Sequence, residues 1–258
     1  YKSMERTMRK SLTVFMIILS LMASGAHTQP MKIRTLPEIP LAKAASTVIW
    51  LDIHGVMVHL NSMNAAWACV KVRWTPRVFA RFMINNIKGK LPPETAYKKA
   101  LIQCGYNQNQ QKMYLDRFCK MCNQQRLAKS FINSMRNLKK RGVTFYINSN
   151  IGEQTYQGLI KKYPEIASLV RPNQVITPTD RFPVKKPDTQ AFARSIAQMQ
   201  ANNHLVNKTH IIFVDDKEKN IKSAQEFGKS EGLNIKGIHF KNSNQAIQQI
   251  YRTIANRH

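Results

Sequence analysis

Two patterns of apolar positions alternate along most of the chain. Short runs rich in β-branched and aromatic residues predict buried strands, and runs with apolar residues three or four positions apart predict helices. The predicted strands are, in chain order, Thr47–Leu51, Val143–Ile147, Asn173–Thr177, His210–Val214 and Ile235–Phe240. Amphipathic segments such as Thr189–Ala201 fall between them. This alternation predicts an α/β fold, in which helices flank a Rossmann-like, mostly parallel sheet.

Residues 61–125 interrupt the alternation after the first strand. Their aromatic residues recur at roughly helical spacing, breakers fall at Pro76 and at Pro92 with Pro93, and no strand-length β-branched run is present. The pattern predicts a small α-helical cap of about three to five helices. The core of the fold is therefore predicted at residues 47–60 and 126–258.

The N-terminal residues predict export. Basic residues within the first ten positions precede the apolar run Leu12–Met22, and small residues follow at 23–26. This order is typical of a signal peptide, and the run is short for a transmembrane helix. We interpret residues 1–26 as a signal peptide of a periplasmic or secreted protein, with an uncleaved N-terminal anchor as the alternative. Residues 27–46 contain three prolines and are interpreted as a linker.

The charge balance narrows the expected partners. The 258 residues include 40 Lys and Arg but only 14 Asp and Glu, a formal net charge of +26, and a hydrophobic content of 43% excludes a disordered chain. Such a surface attracts small anionic substrates, anionic lipid or nucleic acid, or simply covers a solvated exterior. No motif of a nucleic-acid-binding fold is present. A small anionic substrate, such as a phosphorylated compound, is the partner we expect, and nucleic acid stays possible without the support of a motif.

All four cysteines lie in the predicted cap, at Cys69, Cys104, Cys119 and Cys122. An even number permits two disulfides in an exported protein. The Cys119 and Cys122 pair forms a C-x-x-C motif, but it lacks the further ligands of a zinc site and does not follow a strand. We interpret the cysteines as structural, either paired or buried, and the pairing stays open.

Polar side chains stand at the ends of several predicted strands. Asp52, Asp215 and Asp216 directly follow apolar strands, although the whole chain has only six Asp. Ser149 closely follows the second strand, and Lys186 lies in the loop after the third. Because the carboxyl ends of parallel strands meet at one edge of a sheet, these side chains are expected to share one crevice.

This set of residues suits phosphoryl transfer. A carboxylate can act as a nucleophile, three carboxylates provide the hard oxygen ligands that Mg²⁺ prefers, and a lysine offsets phosphoryl charge. Each residue also has a structural interpretation. Ser149 and Asp216 can be helix caps, and Lys186 can be a surface lysine.

The order and spacing of four motifs resemble those of the haloacid dehalogenase (HAD-like) superfamily, which consists mostly of Mg²⁺-dependent phosphatases. The motifs are Leu51–Val56, Tyr146–Asn150, Lys185–Asp188 and Phe213–Asn220. The resemblance covers about residues 47–240, and the helical insertion lies where that superfamily carries one type of cap.

The resemblance implies a role for each residue of the predicted crevice. It implies Asp52, His54, Ser149 and Lys186 as catalytic residues, Ser149, Asn150 and Lys186 as substrate-binding residues, Asp52, His54 (through its carbonyl oxygen), Asp215 and Asp216 as metal ligands, and Asn220 as an orienting residue. Asp52 is the implied nucleophile, and Lys185 is the substitute for Lys186 if the register is shifted by one.

His54 is the departure from the family pattern. Phosphatases of the superfamily carry a second Asp two residues after the nucleophile, which exchanges protons with the leaving group and with water. An imidazole can transfer protons near neutral pH. The predicted function is an exported Mg²⁺-dependent phosphatase that acts through an aspartyl-phosphate on Asp52. The alternative is a HAD-like protein with weak or no catalysis that binds an anion, nucleic acid or a protein.

Overall fold

A computed structural model describes residues 36–60, 72, 75–88, 91–205 and 209–256. The chain divides into two compact units. Unit 1 contains Leu60–Gln125, and unit 2 contains Pro30–His59 and Arg126–His258. The predicted signal peptide, residues 27–35 of the predicted linker and Cys69 lie outside the described residues.

Unit 2 is built on a five-stranded sheet. Its strands are β1 (Thr47–Leu51), β4 (Thr144–Asn148), β5 (Val175–Ile176), β6 (His210–Asp215) and β7 (Ile235–His239). Their order across the sheet is β5-β4-β1-β6-β7, and every neighbouring pair is parallel. The predicted α/β fold class is confirmed, and β1 lies at the centre of the sheet.

Helices connect these strands and cover both faces of the sheet. They are α1 (Leu41–Ala45), α5 (Lys129–Lys140), α6 (Glu153–Lys162), α7 (Pro164–Ala167), a 3₁₀-helix (Pro172–Gln174), α8 (Thr189–Ala201), α9 (Glu218–Ser230) and α10 (Ser243–Ala255). In α5 the residues Phe131, Met135 and Leu138 recur at helical spacing and are fully buried. The helix ends before Gly142, whose φ of +96° suits a residue without a side chain.

Alternate residues of β1 supply two apolar cores, one on each face of the sheet. Ile49 and Leu51 belong to a cluster with residues of α5 and α10. Trp50 belongs to the other cluster and packs against Phe192 and Phe213, at 6.4 and 6.1 Å between ring centroids. All five residues of β1 are buried, as expected of a central strand covered on both faces.

A separate two-stranded sheet pairs β2 (Val58–Leu60) with β3 (Gln125–Leu127). The sequence analysis did not predict these strands, because three residues are too few to show an alternating pattern.

Unit 1 is helical in its described part. It contains α2 (Pro76–Met83), a π-helix (Ile84–Lys88), α3 (Pro93–Gln103) and α4 (Gln108–Cys122). Tyr97 and Phe118 stack at 4.6 Å between ring centroids, and Cys104, Cys119 and Cys122 pack half-buried against the same apolar cluster. No helix among the described residues is both long and apolar enough to span a membrane. That unit 1 acts as a cap stays a prediction.

Candidate active site

Asp52 is held at the carboxyl end of β1 by its own backbone and by a tight turn. Its N–H donates to the carbonyl of Val214 in the neighbouring strand, at 3.0 Å. Within the turn the N–H of Gly55 donates to Val58 at 2.8 Å, and the N–H of Val58 donates to Ile53 at 3.0 Å. The side chains of Ile53 and Val58 are fully buried. The turn is thus anchored in the core, and it fixes the buried Asp52 carboxylate at the edge of the sheet.

Lys186 bridges two carboxylates. Its Nζ lies 3.1 Å from Oδ1 of Asp52 and 2.7 Å from Oδ2 of Asp215, and it also donates to the carbonyl of Asn148. Only 4% of Lys186 is exposed, which excludes the surface-lysine interpretation. Burial by itself lowers the pKa of Lys186, but attraction to Asp52 and Asp215 outweighs it and raises the pKa. The side chain is therefore an ammonium ion at neutral pH.

Asn150 holds the backbone of Lys186. Its Nδ2 donates to the Lys186 carbonyl and its Oδ1 accepts from the Lys186 N–H, both at 2.8 Å. These reciprocal bonds occupy both ends of the Asn150 amide. The structure therefore shows Asn150 positioning Lys186, and the substrate contact that the sequence analysis assigned to Asn150 stays a prediction.

Both carboxylate oxygens of Asp215 are occupied by hydrogen-bond donors of the protein. Its Oδ1 accepts from the Lys217 N–H at 2.8 Å, Nδ2 of Asn220 lies 2.9 and 3.0 Å from its two oxygens, and Lys186 contacts Oδ2. Asn220 is therefore a direct partner of Asp215, in keeping with an orienting role. The contact with Lys217, the N-cap of α9, shows that Asp215 rather than Asp216 supports the start of that helix.

Asp216 has a buried oxygen, Oδ1, with no hydrogen-bond partner among the described residues. Burial, with a further contribution from the negative charge of Asp52, raises the pKa of Asp216 to about 6. Gly55 lies against this carboxylate, since a Cβ at Gly55 would come 2.5 Å from Oδ2 of Asp216. The site therefore keeps one carboxylate oxygen available and leaves no room for a side chain beside it.

The three carboxylates fit a divalent cation. Asp52, Asp215 and Asp216 each offer one oxygen, and these atoms all lie within 4.8 Å of one another. Oxygens on opposite sides of a Mg²⁺ ion lie about 4.2 Å apart, so only a small adjustment is needed. Three carboxylates and one ammonium carry a formal charge of about −2, which a divalent ion offsets. Because protein donors occupy Asp215, Asp52 and Asp216 are the direct ligands that this geometry favours.

Ser149 follows β4 directly. Its N–H donates to Ile176 at 3.1 Å, whereas its buried hydroxyl has no hydrogen-bond partner within the described part of the chain. The N-cap of α6 is Gly152, so Ser149 does not cap that helix. A buried hydroxyl without a partner is costly, and it suits a site that binds a ligand oxygen.

His54 is partly buried in the turn after Asp52. Burial lowers its pKa to about 4, because the opposing attraction of Asp52 is weaker and Lys217 and Lys186 add to the lowering. Its imidazole is therefore neutral at neutral pH and can accept a proton.

Two residues of this edge were not among the predicted site residues. The first is Gly55, described above, which lies against Asp216. His239 ends β7, and its Nε2 lies 3.0 Å from the backbone oxygen of Asp216. The rule that strand ends gather at one edge could have found His239, because it lies one residue before the end of the predicted strand Ile235–Phe240.

Solved structures share this fold. A predicted HAD-like family hydrolase from Porphyromonas gingivalis aligns with a TM-score of 0.55 at 14% identity, covering 80% of this chain and 97% of that one. A wild-type HAD family enzyme from Bacteroides thetaiotaomicron, in complex with magnesium and inorganic phosphate, aligns with a TM-score of 0.51 at 15% identity, covering 74% and 92%. The chain has a HAD-like fold.

Sequence comparisons add little to this HAD-like assignment. The family described as "protein of unknown function (DUF2608)" matches residues 198–257. No curated protein sequence matches the chain. The HAD-like fold therefore rests on the structure, and the assignment of an activity rests on the geometry at the edge of the sheet.

Proposed function

We propose that the protein is a Mg²⁺-dependent hydrolase of a small phosphorylated compound and that Asp52 is its nucleophile. One observation carries the proposal. The buried ammonium of Lys186 bridges Asp52 and Asp215, and the partnerless oxygen of Asp216 lies in the same carboxylate cluster. The magnesium and phosphate bound by the Bacteroides enzyme of the same fold support the proposal.

Asp52 attacks the phosphorus of the substrate, forms an aspartyl-phosphate and releases the leaving group, and water then hydrolyses the intermediate. The contact with Lys186, at 3.1 Å, fixes the direction of the Asp52 carboxylate. The three donors of the ammonium are matched by Asp52, Asp215 and the Asn148 carbonyl. Lys186 therefore acts on the phosphoryl group through its charge rather than through a further hydrogen bond.

Ser149 supplies the hydrogen-bond donor to the phosphoryl group that Lys186 does not. Its buried hydroxyl is available to donate to a phosphoryl oxygen. A bound Mg²⁺ supplies positive charge that offsets the phosphoryl oxygens. Asp52 and Asp216 would hold that ion, with Asp215 and Asn220 keeping the surrounding side chains in place.

His54 stands where the proton-transferring Asp of related phosphatases is expected. As a neutral imidazole it can accept a proton from the water that attacks the intermediate. The same residue favours a second candidate function, in which the site binds a phosphorylated anion with little turnover. Export to the periplasm or the exterior is a separate proposal, which rests on residues 1–26 alone.

The first experiment measures phosphate release from a panel of phosphorylated metabolites with Mg²⁺ and with a chelator. We expect Mg²⁺-dependent release that Asp52→Asn lowers by about 1,000-fold or more, since the nucleophile is lost. Asp116→Asn is the matched control, because Asp116 is exposed in unit 1 and its salt bridge among the described residues is to Lys120, at 2.7 Å. Mg²⁺ binding without turnover, together with a large gain of activity in His54→Asp, would favour the binding function instead.

A further inference from the structure

The edge of the sheet opposite the candidate active site is strongly basic. Six basic side chains cluster there, and we call them the basic edge: Lys43, Lys139, Lys140, Arg141, Arg171 and Arg252. Five of them lie shortly before a strand begins, and Arg252 lies in the last turn of α10. In a parallel sheet these positions fall at the amino ends of the strands.

Contacts join these side chains into one continuous surface. Lys43 donates to the carbonyl of Ala255 at 2.7 Å, which places α1 beside the end of α10. Lys139 donates to the carbonyl of Ser168 at 2.6 Å. Burial, with a smaller contribution from the charge of Arg171, lowers the pKa of Lys139. Arg171 is therefore close to the end of α5.

Salt bridges to the basic edge are absent among the described residues, where none of its six side chains pairs with a carboxylate. The acidic residues nearest in sequence are Glu38 and Glu165.

Exposed apolar side chains adjoin the basic edge. Leu41 begins α1 and is 73% exposed, and Leu36 is 38% exposed. The carbonyl of Ile39, between them, lies 3.5 Å from the guanidinium of Arg141. The first described residues of the chain, 36–41, therefore lie at this surface.

We propose that the basic edge binds the surface of an anionic lipid bilayer. Basic side chains are attracted to anionic headgroups, and leucines beside them can enter the interface. Nucleic acid would be attracted to the same charge, but it offers no apolar interface that Leu36 and Leu41 could enter. The active-site edge then faces away from the membrane and stays open to soluble substrate.

The test is flotation of the full chain with vesicles of phosphatidylcholine alone and with vesicles containing about 30% phosphatidylglycerol. We expect binding to the anionic vesicles that falls steeply with salt. The triple variant Lys140→Glu, Arg171→Glu, Arg252→Glu should lower the partition coefficient by about 100-fold, since each basic side chain near the surface contributes roughly a factor of five. All three positions are exposed.

The matched control is Lys98→Glu, Lys99→Glu, Lys112→Glu, which makes the same change of net charge at exposed positions of unit 1. This control variant should leave vesicle binding nearly unchanged. In a second comparison, Leu41→Ser should lower vesicle binding more than Ile102→Ser does, since Ile102 lies in unit 1 and is 52% exposed. Equal losses in the two triple variants, or equal binding to both kinds of vesicle, would overturn the proposal. So would loss of duplex DNA binding in the first triple variant with vesicle binding intact.

Discussion

Gly55 shows how a single position shapes the candidate metal site. Its φ of +83° suits the turn after Asp52, and the lack of a side chain leaves room for the Asp216 carboxylate. The turn was predictable because a Gly follows Asp52 at a strand end. The approach of Asp216 was not, because sequence spacing does not show which side chain of another strand end comes closest.

Gly55→Ala should abolish Mg²⁺ binding by pushing the Asp216 carboxylate aside, and calorimetry measures this directly. Gly232→Ala is the matched control, since Gly232 also has a positive φ, of +67°, but a Cβ there meets nothing within 4 Å. Both variants should lose about 1–2 kcal/mol of stability from backbone strain. Equal Mg²⁺ affinities in the two variants would contradict the proposed place of Asp216.

The residues of the crevice were largely predictable as a set. Asp52, Lys186 and Asp215 come together because parallel strands bring their carboxyl ends to one edge. The separate role of each of these side chains was not predictable. Whether Asp215 or Asp216 keeps a partnerless oxygen depends on which side chain faces Asn220, and that direction is decided by the packing of α9 on the sheet.

Among the secondary-structure elements and their connections, the loop between β5 and α8 places Lys186 in a buried position. Asn150, which follows β4, makes two hydrogen bonds to the Lys186 backbone from the neighbouring strand end. The strands and long helices were predictable from periodicity. These hydrogen bonds were not, because residues 150 and 186 are far apart in sequence and an Asn after a strand has many uses.

Asn150→Ala should destabilise the protein by about 1–3 kcal/mol, since two backbone groups lose their partners. It should also lower Mg²⁺-dependent turnover, because Lys186 is no longer held between the carboxylates. Asn173→Ala is the comparison, since Asn173 is exposed and its side chain donates to Asn202, at 2.7 Å, as its one hydrogen bond among the described residues. Chemical denaturation and phosphate release measure both effects, and equal behaviour of the two variants would argue against the positioning role.

At the scale of the whole molecule, the formal charge of +26 works against compactness. Self-repulsion among the basic side chains is screened by salt over distances of about 10 Å at 0.1 M. The net charge could be read from the composition. The sequence did not show that basic side chains without a salt bridge among the described residues form one continuous edge of unit 2, because their positions depend on the fold.

Raising NaCl from about 10 to 300 mM should therefore raise the melting temperature by a few degrees, since screening relieves this repulsion. Differential scanning fluorimetry measures the shift. The variant Lys98→Glu, Lys99→Glu, Lys112→Glu carries a lower net charge and should show a smaller shift. A melting temperature that falls with salt would mean that attractive pairs, rather than repulsion, dominate the surface.

Whether Asp52 and Asp216 share a divalent ion can be seen by anomalous diffraction from crystals grown with Mn²⁺ in place of Mg²⁺. We predict one strong anomalous peak about 2.2 Å from an oxygen of each carboxylate, and its loss in Asp216→Asn. An occupied Mn²⁺ site elsewhere, with none between Asp52 and Asp216, would contradict the account.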